Sequence, residues 1–426
     1  MGPSRMVKVV SSLVVVLGLL SVLGGTAAAG NDDTPKQRGD LNGSLELGQL
    51  APLTGQLSNI SQSLTVPVSM AVDEINAAGG VLGKPVTYTV MDDGTNPDLA
   101  SESLEGLLED AKVDAIVGPT SSGTMLAILE EVRNRGVLVC SGSNTSAELS
   151  SADSNGYYFR TSPSDRLQGP ALADLVLKDK HKKVGILARR DSYGIGLDKS
   201  VTQRLRKGGA KVVADVQYDP DAQSFDGVVE KVAAKKPDAV IVLGFDNDAS
   251  DVVRTMISKG IGPQQVAVYG ADGMRTNGFA TLVDPNNPGA VAGIKGTSPS
   301  TAPPGAQNPF LAAFAATGIE PIFSAYNYDC AILTALAAEK AKSDDPGKMK
   351  DAFAANTRGK EKCTTFADCK KLLDDGKTIN YEGASAAFPR MNKFGKFEPN
   401  AGVYEVWSFD EAGRDNTQPG AQIRIG

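Results

Sequence analysis

The sequence from Lys183 to Tyr218, KVGILARRDSYGIGLDKSVTQRLRKGGAKVVADVQY, indicates a strand, a helix and a second strand. The apolar run VGILA is typical of a buried strand. Val201 and Leu205 have the four-residue spacing of one face of a helix. The run KVVADVQY then predicts the next strand. Because a helix between two strands makes them parallel and covers the sheet, this unit predicts an α/β fold.

The same alternation of strands and helices extends from this unit in both directions. Before it, strands are predicted at Leu45 to Leu50, Val86 to Val90, Ala115 to Val117 and Val137 to Cys140. After it come the strand AVIVL at residues 239–243, the strand Val266 to Tyr269, the helix Ala325 to Ala341 and the strand Val403 to Phe409. The pattern predicts two α/β units, the first complete by about residue 150 and the second beginning near Lys183.

One stretch interrupts the alternation. Residues 296–309, GTSPSTAPPGAQNP, contain prolines that remove backbone donors and fix φ, so no helix is expected there. We interpret this stretch as a connection between two lobes. A chain of 426 residues also exceeds the size that one hydrophobic core usually serves, which again favours two domains.

The N-terminal residues predict export. Arg5 and Lys8 precede an apolar run from Val9 to Leu23, and the alanines at 27–29 form a cleavage site. We therefore predict a signal peptide at residues 1–29 and a flexible polar leader at residues 30–43. The alternative is an uncleaved anchor, although about fifteen apolar residues fall short of the roughly twenty that a bilayer requires. No cysteine follows the small residues, so retention at the cell surface by a lipid anchor is not indicated.

The four cysteines fit an oxidising compartment. Cys363 and Cys369, in CTTFADC, are close enough for a local disulfide, whereas the pairing of Cys140 with Cys330 stays open. A metal site is the rival interpretation, but the single histidine, His181, lies in the charged run KDKHKK. We expect no metal and no cofactor. A net charge of −7 and a pI of about 5.1 argue against nucleic acid as a partner.

Two polar loops follow strands of the first unit, where ligands of open α/β sheets bind. The loop GPTSSGT, Gly118 to Thr124, leads into a helix, and SGSNTSAEL begins at Ser141. Amide groups and the dipole at a helix start favour a carboxylate or phosphate, and a serine hydroxyl adds a bond. The alternative is a simple N-cap in which Ser122 or Thr124 satisfies the amides.

The second unit supplies an aromatic residue and an acid in equivalent positions. Tyr193 follows the strand VGILA, and Asp272 follows the strand VAVY. A carboxylate there is suited to receive an ammonium group, and a tyrosine ring can cover a ligand and donate a hydrogen bond. The alternatives are a turn or capping role for Asp272 and ordinary packing for Tyr193. Together with the polar loops, these residues suit a zwitterion.

Eight motifs give the chain a resemblance to the leucine/isoleucine/valine-binding family of type I periplasmic binding proteins. They are APLTG at 51–55, DEINAAGGVLGK at 73–84, DDGTNP at 92–97, VGPTSSG at 117–123, FRTSPSDRLQG at 159–169, DSYGIG at 191–196, GADG at 270–273 and YEGAS at 381–385. The resemblance covers almost the whole mature chain. It implies two Rossmann-like lobes with parallel central sheets, joined by three crossovers and closing over a ligand as a hinge.

The resemblance also implies lobe boundaries and a ligand site. It places residues 44–164 with 299–398 in lobe 1 and residues 165–298 with 399–426 in lobe 2. It assigns Ser122, Ser143 and Thr145 to the α-carboxylate and amine of the ligand, with Tyr193 and Asp272 contributing from lobe 2. Two positions depart from the family pattern. Ile60 stands where branched-chain binders have a pocket aromatic, and Phe245 stands where members often have tyrosine, so the side-chain specificity stays open.

The implied function is capture of a branched-chain-like amino acid or a related amide for an ABC importer. Permease subunits would then be the partners of an exported, monomeric protein. One alternative is a sensor module that reports to a receptor. The other is a two-lobed α/β enzyme, against which the sequence shows no GxGxxG after the first strand, no P-loop and no histidine suited to act as a base.

Overall fold

The computed structural model of the protein describes residues 41–301, 308–385, 398–418 and 420–426. The predicted signal peptide and the leader up to residue 40 lie outside the described residues. Within these ranges, no helix combines the length and the apolar character that crossing a bilayer requires.

The first α/β unit forms a five-stranded sheet. Its elements are β1 (Glu46–Ala51), α1 (Ser61–Ala77), β2 (Thr87–Asp92), α2 (Pro97–Glu109), β3 (Ala115–Val117), α3 (Ser122–Arg135), β4 (Leu138–Ser141) and β5 (Tyr158–Arg160). The strand order is β2-β1-β3-β4-β5, and every neighbouring pair is parallel. The predicted strict alternation is wrong at one place, because no helix lies between β4 and β5. The intervening segment forms loops that hold polar residues.

The second α/β unit follows in the chain. Its elements are α4 (Asp165–Lys178), β6 (Lys183–Arg189), α5 (Ser192–Lys207), β7 (Lys211–Tyr218), α6 (Asp226–Ala233), β8 (Ala239–Leu243), α7 (Asp246–Ser258), β9 (Ala267–Gly270), α8 (Phe279–Val283) and β10 (Lys295–Pro299). The βαβ unit quoted from the sequence is thus β6, α5 and β7, with the two strands parallel. Strand β8, AVIVL, is buried throughout, because helices cover both faces of the sheet.

The C-terminal part of the chain adds helices that pack on the first sheet and strands that extend the second. Its elements are α9 (Pro309–Ala315), α10 (Ser324–Ala341), α11 (Pro346–Phe353), β11 (Glu361–Cys363), α12 (Phe366–Asp374), β12 (Ile379–Tyr381), β13 (Gly402–Ser408) and β14 (Gln422–Ile425). The second sheet has the order β14-β13-β10-β9-β8-β6-β7, in which β13 runs antiparallel to both β10 and β14. Parallel strands therefore dominate the second sheet without making up all of it. A small parallel pair, β11 and β12, stands apart.

The predicted connection at residues 296–309 is wrong at its beginning, because Lys295–Pro299 is a strand. Pro299 lacks an N–H but occupies the last position of β10, where the strand ends. At the other end, Pro309 opens helix α9, a position where its missing N–H costs nothing. The middle of the stretch, residues 302–307, lies outside the described residues.

Helix α10 is the centre of the first core. Almost all of its side chains are buried, because it lies between α1 and the first sheet. A disulfide joins Cys330 on this helix to Cys140 on β4, with the two Cα atoms 5.6 Å apart. A second disulfide joins Cys363 to Cys369. Both cysteine pairs considered from the sequence are therefore present, including the pair whose status the sequence left open.

The chain passes between the two sheets three times: after β5, after β10 and before β13. Two of these passages are joined by a buried ion pair. The Arg160 guanidinium, at the end of β5, donates from Nε to Glu398 at 2.9 Å, and Arg160 is fully buried. Its Nη1 also donates to the carbonyl oxygen of Ser146 at 2.9 Å. This pair fixes the first and third passages to each other and to a loop of the first sheet.

Candidate functional site

The loops that follow β3 and β4 are joined to each other by hydrogen bonds. We name them the first-sheet loops, residues 118–122 and 141–146. The hydroxyl of Ser122 accepts hydrogen bonds from the backbone N–H groups of Thr145 at 3.3 Å and Ser146 at 3.1 Å. The hydroxyl of Ser143 donates to the carbonyl oxygen of Thr120 at 3.0 Å. Three hydroxyl residues predicted from the sequence are thus held in one rigid arrangement.

The N-cap of α3 is neither of the two residues considered in the alternative interpretation of this loop. The hydroxyl of Ser121 accepts the N–H of Thr124 at 3.1 Å, so Ser121 is the N-cap. The alternative interpretation, an N-cap formed by Ser122 or Thr124, does not hold, because Ser122 lies one position inside the helix and its oxygen accepts from the second loop. Since the Ser122 oxygen only accepts in these bonds, its hydroxyl proton can be donated to an anion at the positive end of α3.

On the side of the second sheet, Asp272 is held by two neighbours. Gln168, on α4, donates from its side-chain amide to Asp272 at 2.6 Å, and the Tyr193 hydroxyl donates to the same carboxylate at 3.1 Å. The Tyr193 oxygen in turn accepts the N–H of Gly273 at 3.3 Å. The Tyr193 hydroxyl, which the sequence predicts to donate to a ligand, therefore donates to Asp272 instead. The tyrosine positions the carboxylate, and its ring faces the cleft.

The charge on Asp272 is unfavourable in this setting. Burial raises its pKa to about 6, and the hydrogen bonds from Gln168 and Tyr193 offset only part of that rise. Asp165, at the start of α4, is also fully buried, and its pKa is raised well above the usual range, first by burial and then by the charge of Asp272. A cation placed beside Asp272 would stabilise its ionised form.

Aromatic and aliphatic side chains complete the cleft. The ring of Phe245 stacks on that of Tyr193, with centroids 5.3 Å apart, and the Arg189 guanidinium lies 3.7 Å from the Phe245 centroid. From the opposite side, Leu57 and the half-buried Ile60 pack into the same apolar cluster. Residues that follow strands of different sheets therefore pack together across the cleft.

All seven residues predicted to bind ligand line one cavity of about 40 Å³. They are Ile60, Ser122, Ser143, Thr145, Tyr193, Phe245 and Asp272. This volume holds a few water molecules, whereas pockets that enclose small ligands usually measure about 300 to 1,000 Å³. The structure thus brings the predicted residues together around a space smaller than such a pocket.

The cavity also includes residues that the sequence analysis missed. Asp246 follows β8 and accepts a hydrogen bond from Thr276 at 3.0 Å, and both line the cavity. The expectation that ligand residues follow the ends of strands, which predicts Asp272, predicts Asp246 equally well. Gln168, which donates to Asp272 without lining the cavity, lies inside a helix. Phe323, which lines the cavity, precedes α10 in a left-handed conformation with φ of 55°. Neither position carries a local sequence signal.

Direct hydrogen bonds connect the two sides at the edge of the cleft. Gln56, in the loop after β1, accepts from Arg189 at 2.9 Å and donates to Asp221 at 3.0 Å. Its carbonyl oxygen accepts from the side chain of Asn247 at 2.8 Å. These bonds join the loop after β1 to residues at or beyond the ends of β6, β7 and β8 of the second sheet.

Comparisons with known proteins identify similar chains. A family model described as periplasmic binding protein matches residues 44–373. The chemotactic signal transduction system substrate-binding protein BasB of Halobacterium salinarum is 26% identical over 378 residues, covering 86% of this chain and 87% of that protein. The leucine-, isoleucine-, valine-, threonine-, and alanine-binding protein of Pseudomonas aeruginosa is 25% identical over 319 residues, covering 74% and 83%.

A solved structure supports the fold. The branched-chain amino acid transporter substrate binding protein LivJ of Streptococcus pneumoniae, in complex with isoleucine, superposes with a TM-score of 0.71. The match covers 90% of this chain and 99% of that chain at 23% identity. At this identity the likeness concerns the architecture of two sheets and three passages.

Proposed function

This chain belongs to the periplasmic binding protein family, and on that basis we propose that it captures an α-amino acid between two lobes for delivery to an ABC importer. The observation that carries the proposal is the division of charge across the cleft. The hydroxyl residues Ser122, Ser143 and Thr145 stand on one side, and the buried carboxylate of Asp272 stands on the other. A zwitterion satisfies both sides, since its carboxylate suits a helix start and its ammonium suits an acid.

The proposed movement follows from the energetics of Asp272. Closing the cleft buries this carboxylate, which raises its pKa to about 6 and makes the ionised, ligand-free closed form unfavourable at neutral pH. A ligand ammonium removes that penalty. Ligand binding therefore shifts the population from open to closed by the difference in its affinity for the two forms.

We place lobe 1 at residues 44–164 with 299–398 and lobe 2 at residues 165–298 with 399–426. Apart from Pro299, the last residue of β10, each of the two large sheets then lies within one lobe, and the three passages between the sheets act as the hinge. We further propose that the protein is exported, acts as a monomer and docks on permease subunits. The ion pair between Arg160 and Glu398 joins two of these three passages.

A sensor is the second candidate function, because BasB, a relative matched over most of both chains, is named for chemotactic signal transduction. In that case the closed form would be recognised by a receptor instead of a permease. The same cleft serves either purpose. Catalysis forms no part of the proposal, since the relatives described above are named as binding proteins.

A thermal-shift screen followed by calorimetry tests the proposal. We expect the melting temperature to rise with free L-amino acids, because a ligand that binds only the folded state stabilises it. The matched controls are the corresponding amines and carboxylic acids, each of which lacks one of the two charged groups. The proposal is wrong if an amine or an acid alone stabilises the protein as well as the amino acid does, or if no amino acid binds.

A further inference from the structure

A second, larger cavity adjoins the site. It has a volume of about 510 Å³ and shares Asp272, Ile322 and Phe323 with the small cavity. The acid that we assign to the ligand ammonium thus stands between the two spaces. A ligand whose charged groups occupy the small cavity can extend a bulky side chain into the larger one.

The wall of this larger cavity is mainly apolar. Helix α9 and the segment that follows it supply Phe310, Leu311, Phe314, Ile319 and Ile322, and polar residues of the second unit line another part of the cavity. Phe310 and Phe314 stack on each other with centroids 5.4 Å apart. Apolar and aromatic surface of this kind favours burial of an apolar ligand group, with aromatic groups gaining further from offset stacking.

The charged residues at the other end are already paired. Arg275 donates to Asp415 at 3.0 Å, to Glu405 at 2.6 Å and to Ser298 at 2.7 Å, so its guanidinium has little capacity left for a ligand anion. Glu320 also lines the cavity and accepts the N–H of Asn277 at 3.1 Å. A negatively charged ligand side chain would face this carboxylate, which disfavours acidic amino acids.

One buried polar group in the wall has no partner within the described part of the chain. The Ser324 hydroxyl, at the start of α10, belongs to a residue only 2% exposed and makes no hydrogen bond there. Unsatisfied buried hydroxyls are uncommon in folded proteins because they cost free energy. A bound ligand or its water would supply the missing partner.

We propose that the larger cavity receives the side chain of an α-amino acid bulkier than leucine, in the first place an aromatic one. This inference rests on the proposed function, because it requires the charged groups of the ligand to lie between the first-sheet loops and Asp272. It adds the substrate class: affinity is expected to rise from L-valine to L-leucine to L-phenylalanine, and L-glutamate is expected to be excluded.

Calorimetry with these four amino acids tests the inference on the unmodified protein. We expect phenylalanine to bind at least about tenfold more tightly than valine, since each additional buried carbon in an apolar pocket contributes substantially. Equal or weaker binding of phenylalanine would overturn the inference while leaving the proposed function intact. Failure of every amino acid to bind would overturn the proposed function itself.

A pair of variants on α9 sharpens the test. Ala315 lines the cavity and Ala313 does not, and both are exposed residues of the same helix. Ala315→Phe should fill the cavity and weaken phenylalanine binding by at least about tenfold while changing valine binding less than about twofold. Ala313→Phe, the control, should change neither. A loss of phenylalanine affinity in both variants alike, or in neither, contradicts the inference.

Discussion

The two sides of the cleft differ in how their polar groups are satisfied. The first-sheet loops satisfy their own polar groups, since Ser122 accepts from the second loop and Ser143 donates to the first. The second side keeps a buried carboxylate, Asp272, whose pKa is raised to about 6. The first side is thus a preformed cradle, and the second carries a charge that needs a partner. The contrast indicates that lobe 1 provides geometry and that Asp272 provides the dependence on ligand.

The largest effect that this contrast predicts is on binding by Asp272→Asn. We expect an affinity loss of roughly 2 to 5 kcal/mol, because a buried, charge-assisted partner of the ammonium is removed. Stability at pH 7 should be unchanged or higher. The folded pKa of about 6 exceeds the ordinary 3.8, so Asp272 contributes stability below pH 3.8 and loses it as the pH rises through 6.

Calorimetry and thermal melting on the same preparation measure these two quantities separately. Asp251→Asn, on α7 outside the cavity, replaces a side chain that is 49% exposed, so it is the matched control and should change neither. If Asp272→Asn bound a zwitterion as tightly as the unmodified protein, the ammonium would have to be bound elsewhere.

On the other side of the cleft, Ser122→Ala should lower binding and stability together. The change leaves the N–H groups of Thr145 and Ser146 without their acceptor, which costs about 1 to 3 kcal/mol for buried groups. Ser101→Ala, an exposed residue of α2, is the control and should be near neutral. A variant that lost affinity but kept full stability in urea would show that Ser122 acts only on the ligand, and the contrast between the two sides would be lost.

The smallest of these effects is the pH dependence of binding. In the closed cleft without ligand, Asp272 takes up a proton as the pH falls through about 6, so the proton competes there with a ligand ammonium. Affinity should therefore be weaker at pH 5 than at pH 7, by at most about tenfold, while the ligand carboxylate and ammonium stay charged. Burial also raises the pKa of Asp248 to about 6, so the Asp272→Asn variant serves as the reference. An identical pH profile in that variant would assign the effect to another group.

Much of this fold was predictable because its signals are local. The run AVIVL and the βαβ unit beginning at Lys183 have the period and the apolar content of buried strands and their helices. The candidate site was accessible for a related reason: parallel strands place their carboxyl ends at one edge, so Tyr193 and Asp272 could be proposed to lie together from position alone.

The features that were missed depend on contacts between distant residues. The prolines after Gly296 predict a connection where strand β10 lies, and β10 pairs with β13, which is more than a hundred positions later in the chain. Strand β14, QIRI, is short and only partly buried, so its pattern carries little information. Gln168 reaches Asp272 from a position 104 residues earlier. Pairings at this distance are fixed by the folded core, and no window of sequence contains them.

Energy transfer between the two lobes tests the central claim most directly, the claim that the ligand closes the cleft by neutralising Asp272. Dyes can be attached through Glu102→Cys on α2 and Lys231→Cys on α6, both exposed, because the four native cysteines are paired in disulfides. We predict that an amino acid whose binding is detected by calorimetry raises the transfer efficiency, because the distance between the dyes becomes shorter. Asp272→Asn should abolish this rise. A tightly bound amino acid that leaves the inter-lobe distance as it was would mean that one lobe binds alone, and capture by closure of the cleft would be wrong.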